Sequence, residues 1–253
     1  MLPKEVSKHI KKLHQKKFRH EFQEFLVEGV KGVYESLIAD TEVMAIIVEE
    51  KRKDELDFSD IISKAKKQDV DVFFCAHGDI GEIKTTDTYP GVQAIVTTPD
   101  TYLAGIQNSS PILCLDGIQD PGNLGTMIRT ADWFGIPNIL LSENSVDPYN
   151  PKTVRSTMGS LFHVSIVESK DIIIDLEKLK EKNYSVFSLS TEGRPLDKEK
   201  LVKHESVYIF GSESHGVRKD LVDMSDELYS IPGKGRAESL NVGVAAGIIL
   251  SYL

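Results

Sequence analysis

Between residues 30 and 38 the side chains of Val30, Val33, Tyr34, Leu37 and Ile38 recur at i, i+3, i+4, i+7 and i+8. That is the period of an amphipathic helix. The apolar run VMAIIV (43–48) predicts a strand, a charged stretch around 54–67 predicts a second helix, and VDVFFCA (70–76) and VQAIVTT (92–98) predict two more strands. Strand, helix and strand in this order describe a small α/β domain. The segment 100–111 closes on Asn-Ser-Ser-Pro, a loop signature. We therefore divide the chain into a domain over residues 1–100, a linker over 101–110 and a second domain over 111–253.

The second half alternates more regularly. ILCLD (112–116), NILLS (138–142), HVSIV (163–167), YSVFSLS (184–190), VYIFG (207–211) and LYSIP (228–232) read as strands, with helical stretches such as IIIDLEKLKEK (172–182) between most of them. Uninterrupted Ile, Leu and Val suit strands covered on both faces, so a parallel sheet is expected.

At 253 residues the chain is long enough to bury a core in each part. Its two cysteines, Cys75 and Cys114, lie in apolar strand-like runs and read as small buried hydrophobes. So few cysteines fit a reducing cytoplasm. The N-terminus has no apolar stretch of a signal peptide, and the C-terminal VGVAAGIILSYL is shorter than the roughly 20 residues of a membrane span. The net charge of −9 argues weakly against a nucleic-acid partner. Its distribution argues the other way. Residues 1–20 carry Lys4, Lys8, Lys11, Lys12, Lys16, Lys17 and Arg19 against one acid, Glu5. Such an arm attracts a phosphate backbone, or else it is the solvated face of a helix.

Familiar nucleotide signatures are missing: there is no GxxxxGK[ST] phosphate loop, and no GxGxxG after the first strand of either half. HExxH and CxxC are absent and the seven histidines are scattered, so no metal is expected.

Chemistry concentrates in three glycine-rich and polar segments. DGIQDPGNLGTMIRTADWFG (116–135) follows a strand; Asn123 is placed to cap the coming helix, Gly125 allows close approach, and Arg129 is either a surface cation or a functional one. YIFGSESHGV (208–217) ends a strand at Gly211 and carries Glu213 before Gly216; His215 reads as incidental. YSIPGKGRAESLNVGVAAGIILSYL (229–253) runs from a strand through a loop into a helix that Ser239 or Glu238 would cap, and much of that helix reads as core.

Together these segments resemble the three signature motifs of the SpoU (TrmH-type) branch of the SPOUT RNA methyltransferases. Asn123, Gly125 and Arg129 match the first motif, Gly211, Glu213 and Gly216 the second, and Ile231, Pro232, Ser239, Leu240 and Asn241 the third. VRSTMGSLFHV (154–164) resembles the family's stretch between the first two motifs. KKFRHEFQEFLVEGVKGVYESL (16–37) looks like the small substrate-binding domain, similar to ribosomal protein L30e, that precedes the catalytic domain in many members. One departure is Ser214, where many members carry glycine.

The resemblance implies an α/β-knot domain, with a deep trefoil knot, after an L30e-like domain. It implies transfer of a methyl group from S-adenosylmethionine to a ribose 2′-hydroxyl. Ribosomal RNA of the 23S type is the first expectation and tRNA the second. Gly211, Ile231 and Leu240 would contact the cofactor, with Leu189, Ser190 and Thr191 as further candidates. Arg129 would remove the hydroxyl proton or grip a phosphate, while Asn123, Glu213, Ser239 and Asn241 position it and the nucleotide. RNA would be held by Lys11, Lys12, Lys16, Lys17 and Arg19 of the arm, with Arg155, Lys234 and Arg236. The family also implies a homodimer through the knotted domain, and the expected setting is the cytoplasm, without membrane or metal. The alternative is a non-catalytic RNA-binding or ribosome-associated protein that keeps the fold; the intact Arg129 and Ser-Leu-Asn argue against it.

Overall fold

The computed structural model describes residues 2–85, 88–106, 109–197, 201 and 204–253. Gln107 and Asn108, within the expected linker, lie outside the described residues. The chain forms two compact units, one of residues 1–100 with 147–162, the other of residues 101–146 with 163–253.

The first unit begins with two helices, α1 (Lys4–Leu13) and α2 (Lys16–Phe22). They lead into β1 (Glu24–Glu28), α3 (Val30–Ile38), β2 (Val43–Glu49), α4 (Leu56–Lys67), β3 (Asp71–Cys75), α5 (Ile80–Ile83) and β4 (Val92–Thr97). The sheet order is β1-β4-β2-β3, with β4 antiparallel to both neighbours and β2 parallel to β3. Strand β1 is not legible in the sequence pattern: EFLVE holds only three apolar residues in a row, although four of its five residues are buried. Helix α1 turns Ile10 and Leu13 inward, fully buried beside Leu26, Ile47 and Ile95, and leaves Lys4, Lys8, Lys11 and Lys12 exposed.

The second unit holds β5 (Ile112–Leu115), α6 (Pro121–Trp133), β6 (Asn138–Ser142), β7 (Ser165–Ser169), α8 (Ile172–Glu181), β8 (Ser185–Pro195), β9 (Ser206–Phe210), α9 (Lys219–Met224), β10 (Glu227–Ser230) and α10 (Val242–Leu250); α7 (Pro151–Thr157) belongs to the first. All six strands run parallel in the order β10-β8-β9-β5-β6-β7. Every residue of β5, β6 and β9 is buried, as the unbroken apolar runs required. After β5 the chain winds outward through β6 and β7, then returns so that β9 lies against the other side of β5. Open α/β sheets bind ligands outside the carboxyl ends of strands at such a reversal.

Strand β8 runs on to Pro195, beyond the expected 184–190. Its pairing with β10 jumps from Ser188–Leu228 to Arg194–Tyr229, so Leu189 to Gly193 bulge out of register. Leu189, Ser190 and Thr191 therefore sit in mid-strand on that bulge and do not end the strand. Burial leaves Cys75 and Cys114 inert: Cys75 is pushed up to about 11 by burial and by the Glu49 and Asp79 carboxylates, and Cys114 is raised likewise.

Residues 147–162 fall inside the 111–253 domain that the sequence predicts, yet their contacts lie in the first unit. Helix α7 packs on β1, and the Phe25 ring meets Tyr149 at 4.9 Å and Phe162 at 6.3 Å. Arg19 fixes the segment. Its Nε donates to Asp147 Oδ2 at 3.0 Å, its Nη2 to the same oxygen at 2.5 Å, and its Nη1 to the Leu13 carbonyl at 2.8 Å. The two side chains are only 4% and 5% exposed. Arg19 is thus not an RNA contact, because its guanidinium is buried and its donors are engaged. Removing either partner strands a buried charge. Arg19→Met, or Asp147→Asn, should lower the unfolding free energy by about 3–5 kcal/mol, read from urea denaturation.

Candidate active site

Asp120 caps α6, accepting from the Asn123 N–H at 2.9 Å, with Pro121 as the first helical residue. The cap is therefore Asp120 and not Asn123, which lies inside the first turn with its side chain free for other work. At the other helix the cap is Asn241, and neither Ser239 nor Glu238: Asn241 Oδ1 accepts from the Gly243 N–H at 3.0 Å and the Val244 N–H at 3.3 Å.

That cap orients the site. With Oδ1 engaged by the helix, Asn241 Nδ2 is left to donate, and it donates to Asn123 Oδ1 at 3.0 Å. Asn123 Nδ2 in turn donates to Glu213 Oε1. The chain Asn241–Asn123–Glu213 draws one residue from each of the three segments singled out above. Arg129 is on α6, six residues beyond Asn123, about 9 Å along the axis. It is exposed, with no hydrogen-bond or ion-pair partner among the described residues.

Gly211 explains why the Glu213 loop folds as it does. A β-carbon there would lie 2.0 Å from the carbonyl carbon and oxygen of Gly216. The loop closes on itself through the Gly216 N–H, which donates to the Ser212 carbonyl at 2.9 Å, with Gly216 at φ +67°. Ser214, the departure from the family pattern, shares a hydrogen bond with His215 Nδ1 at 2.9 Å, and both face solvent.

Strands β10, β8 and β9 are neighbours; Ile231 and Gly211 directly follow β10 and β9, while the bulge Leu189–Gly193 lies within β8. Ile231 is half-buried, while Pro232 to Asn241 are all exposed, including Lys234, Arg236, Ser239 and Leu240. Arg155 is elsewhere, in the first unit, where its Nη1 donates to Glu28 Oε2 at 2.7 Å and Thr85 Oγ1 at 2.5 Å. As an RNA contact it is corrected: its charge is spent on the Glu28 carboxylate, whose side chain is 1% exposed. Lys11 faces Glu82 at 3.1 Å, in an exposed and therefore weak pair.

In the sequence Asp116 marks only the end of a predicted strand. Its carboxyl group is 1% exposed at the carboxyl end of β5; Oδ2 meets Arg218 Nε at 3.3 Å, and Oδ1 has no partner among the described residues. A lone acid closing an apolar run was the signal available in the sequence.

The profile of the SpoU rRNA Methylase family matches residues 110–251, and that of the MRM3-like substrate binding domain matches residues 4–94. The chain belongs to the SpoU rRNA methylase family. Among its relatives is the 23S rRNA (guanosine(2553)-2'-O)-methyltransferase RlmP of Bacillus subtilis (strain 168), 33% identical over 96% of this chain and 93% of that protein. The 23S rRNA (guanosine-2'-O-)-methyltransferase RlmB of Nitrosomonas europaea is 27% identical over 76% of each. Among solved structures, the AdoMet-bound rRNA methyltransferase of Sinorhizobium meliloti superposes with a TM-score of 0.84 at 29% identity, covering 100% of this chain and 95% of that one. Both SpoU motif-two glycines are open to test. Gly211→Ala must displace backbone and should cost about 1–3 kcal/mol. Gly216→Ala meets open space and should cost only the left-handed backbone, about 1 kcal/mol. Urea unfolding of the two variants checks that order.

Proposed function

We propose that this chain transfers a methyl group from S-adenosylmethionine to a ribose 2′-hydroxyl of large-subunit ribosomal RNA. The observation that carries the proposal is the Asn241–Asn123–Glu213 chain, with Arg129 exposed on the same helix. The full-length likeness to RlmP supports the reaction and the RNA class. The AdoMet-bound relative supports the cofactor.

The residues fit that cofactor by their chemistry. Leu240 is an apolar side chain left 49% exposed, and Ile231 and Gly211 at two strand ends, with the bulge at Leu189, Ser190 and Thr191 in the strand between them, offer backbone groups on three adjacent strands. When bound, S-adenosylmethionine supplies a methyl carbon on cationic sulfur, so the leaving group is neutral and the demands on the protein are alignment and loss of one proton. A guanidinium stays protonated across the physiological range. We therefore assign Arg129 to the RNA phosphate next to the reacting ribose, where its planar fork orients the 2′-hydroxyl. Asn123 holds the Glu213 carboxylate, and Ser239 and Asn241 stand on the loop that faces them. Lys234 and Arg236 on that loop, with Lys12, Lys16 and Lys17 of the first unit, are exposed, which supports a role in meeting phosphate.

The trefoil knot and a homodimer complete the reading. Trp133 at the end of α6 is 82% exposed and Val244 on the packed helix α10 is 53% exposed, two apolar side chains that a second copy would cover. Light scattering should give twice the chain mass, and Trp133→Glu should give the single mass. A cytoplasmic setting, where ribosomal RNA is met, follows from the same reading.

The direct test is labelled S-adenosylmethionine with unmodified ribosomal RNA and tRNA in separate pools. Wild-type protein should produce a 2′-O-methylnucleoside in ribosomal RNA. Arg129→Ala should lower transfer by at least about 100-fold while cofactor binding holds, and Arg129→Lys should recover part of it. Cofactor binding without transfer to any RNA would favour the non-catalytic reading.

A further inference from the structure

Two phenylalanines at the N-terminus belong to neither the site nor the sheet. Phe18 and Phe22 on α2 stack with centroids 5.9 Å apart and planes 19° from parallel. Both are half-buried; Phe22 touches the core of the first unit, and Phe18 is outside it. Lys12 lies 5.5 Å from the Phe18 centroid and 5.4 Å from that of Phe22, and Lys17 lies 5.5 Å from Phe18. A ring with an exposed ammonium group over it is reached from solvent and is not sealed by apolar packing. The neighbouring acid Glu24 is occupied by His9, at 2.5 Å.

We propose that Phe18 is a stacking platform for an unpaired RNA base, which displaces the Lys12 and Lys17 ammonium groups from over the ring onto the adjoining phosphates. A flat ring with exposed cations at it is the arrangement that binds single strands: bases stack on the aromatic face and the backbone follows the charge. A paired base inside a duplex has no free face to offer. The platform is held rigid from below, since the buried Arg19 ties α2 both to the Leu13 carbonyl and to Asp147. The substrate this predicts is a loop or strand end with a splayed base, and the platform rests on the RNA reading above.

The test is fluorescence anisotropy of the full chain with two probes, a single-stranded oligoribonucleotide of about 12 nucleotides and the blunt duplex of the same sequence. Phe18→Leu keeps the bulk of the side chain and removes the ring face. It should weaken single-strand binding about 5- to 150-fold and leave duplex binding within about 2-fold. Phe18→Trp should restore or tighten the single-strand complex. Lys12→Gln and Lys17→Gln should each lower the salt slope by about 0.7. Unchanged single-strand affinity in Phe18→Leu, equal loss on both probes, or no binding of the single strand by wild-type protein would each overturn the platform. Methyl transfer to ribosomal RNA by wild-type protein reports separately on the enzyme, so the platform can fail while that reading stands. Circular dichroism of Phe18→Leu confirms that the fold is intact.

Discussion

The site depends on how one amide is used. Asn241 spends its carbonyl oxygen on the first turn of α10, and that fixes which way its amide nitrogen points. The nitrogen sets Asn123, and Asn123 presents a donor to the Glu213 carboxylate. A helix cap and a polar relay are therefore one structure. Anything that unwinds the start of α10 also disorients a carboxylate 28 residues earlier in the chain. The sheet makes this possible, because the β5/β9 reversal brings two of the three loops to one edge.

Around that edge the backbone does as much as the side chains. Gly211 is crowded by the Gly216 peptide, and Gly193 in the β8 bulge lies under the carbonyl of Tyr229, 2.7 Å from where its β-carbon would stand. These glycines let segments pass where a methyl group would hold them apart. A surface made by close backbone crossings offers N–H and C=O groups in fixed positions, which suits recognition of a flat heterocycle.

The sheet of the second unit was legible because a parallel strand buried on both faces is written as an apolar run, as in ILCLD and VYIFG. The three polar segments were legible because glycine, proline and asparagine mark turns by their own geometry. What stayed hidden was set by distant partners. Asp120 and Asn123 are both good caps, and only the three-dimensional helix start decides between them. Arg19 and Arg155 look like their solvent-exposed neighbours in the sequence. Their partners Asp147 and Glu28 lie 128 and 127 residues away, so nothing local marks them as buried or paired. Strand β1 is short, and part of its burial comes from α7, far along the chain. Phe18 is an ordinary apolar letter until Lys12 is seen above it.

The return of residues 147–162 to the first unit has a consequence for how such a protein is built and inherited. A ribosome emits residue 100 well before residue 162, so the N-terminal unit waits with the surface around Phe25 uncovered while about a third of the other unit is made. Trading that unit between relatives by a single splice near residue 105 would part β1 from the helix shaped to cover it. The two halves are thus bound to change together, and a graft that works must carry a second, internal piece.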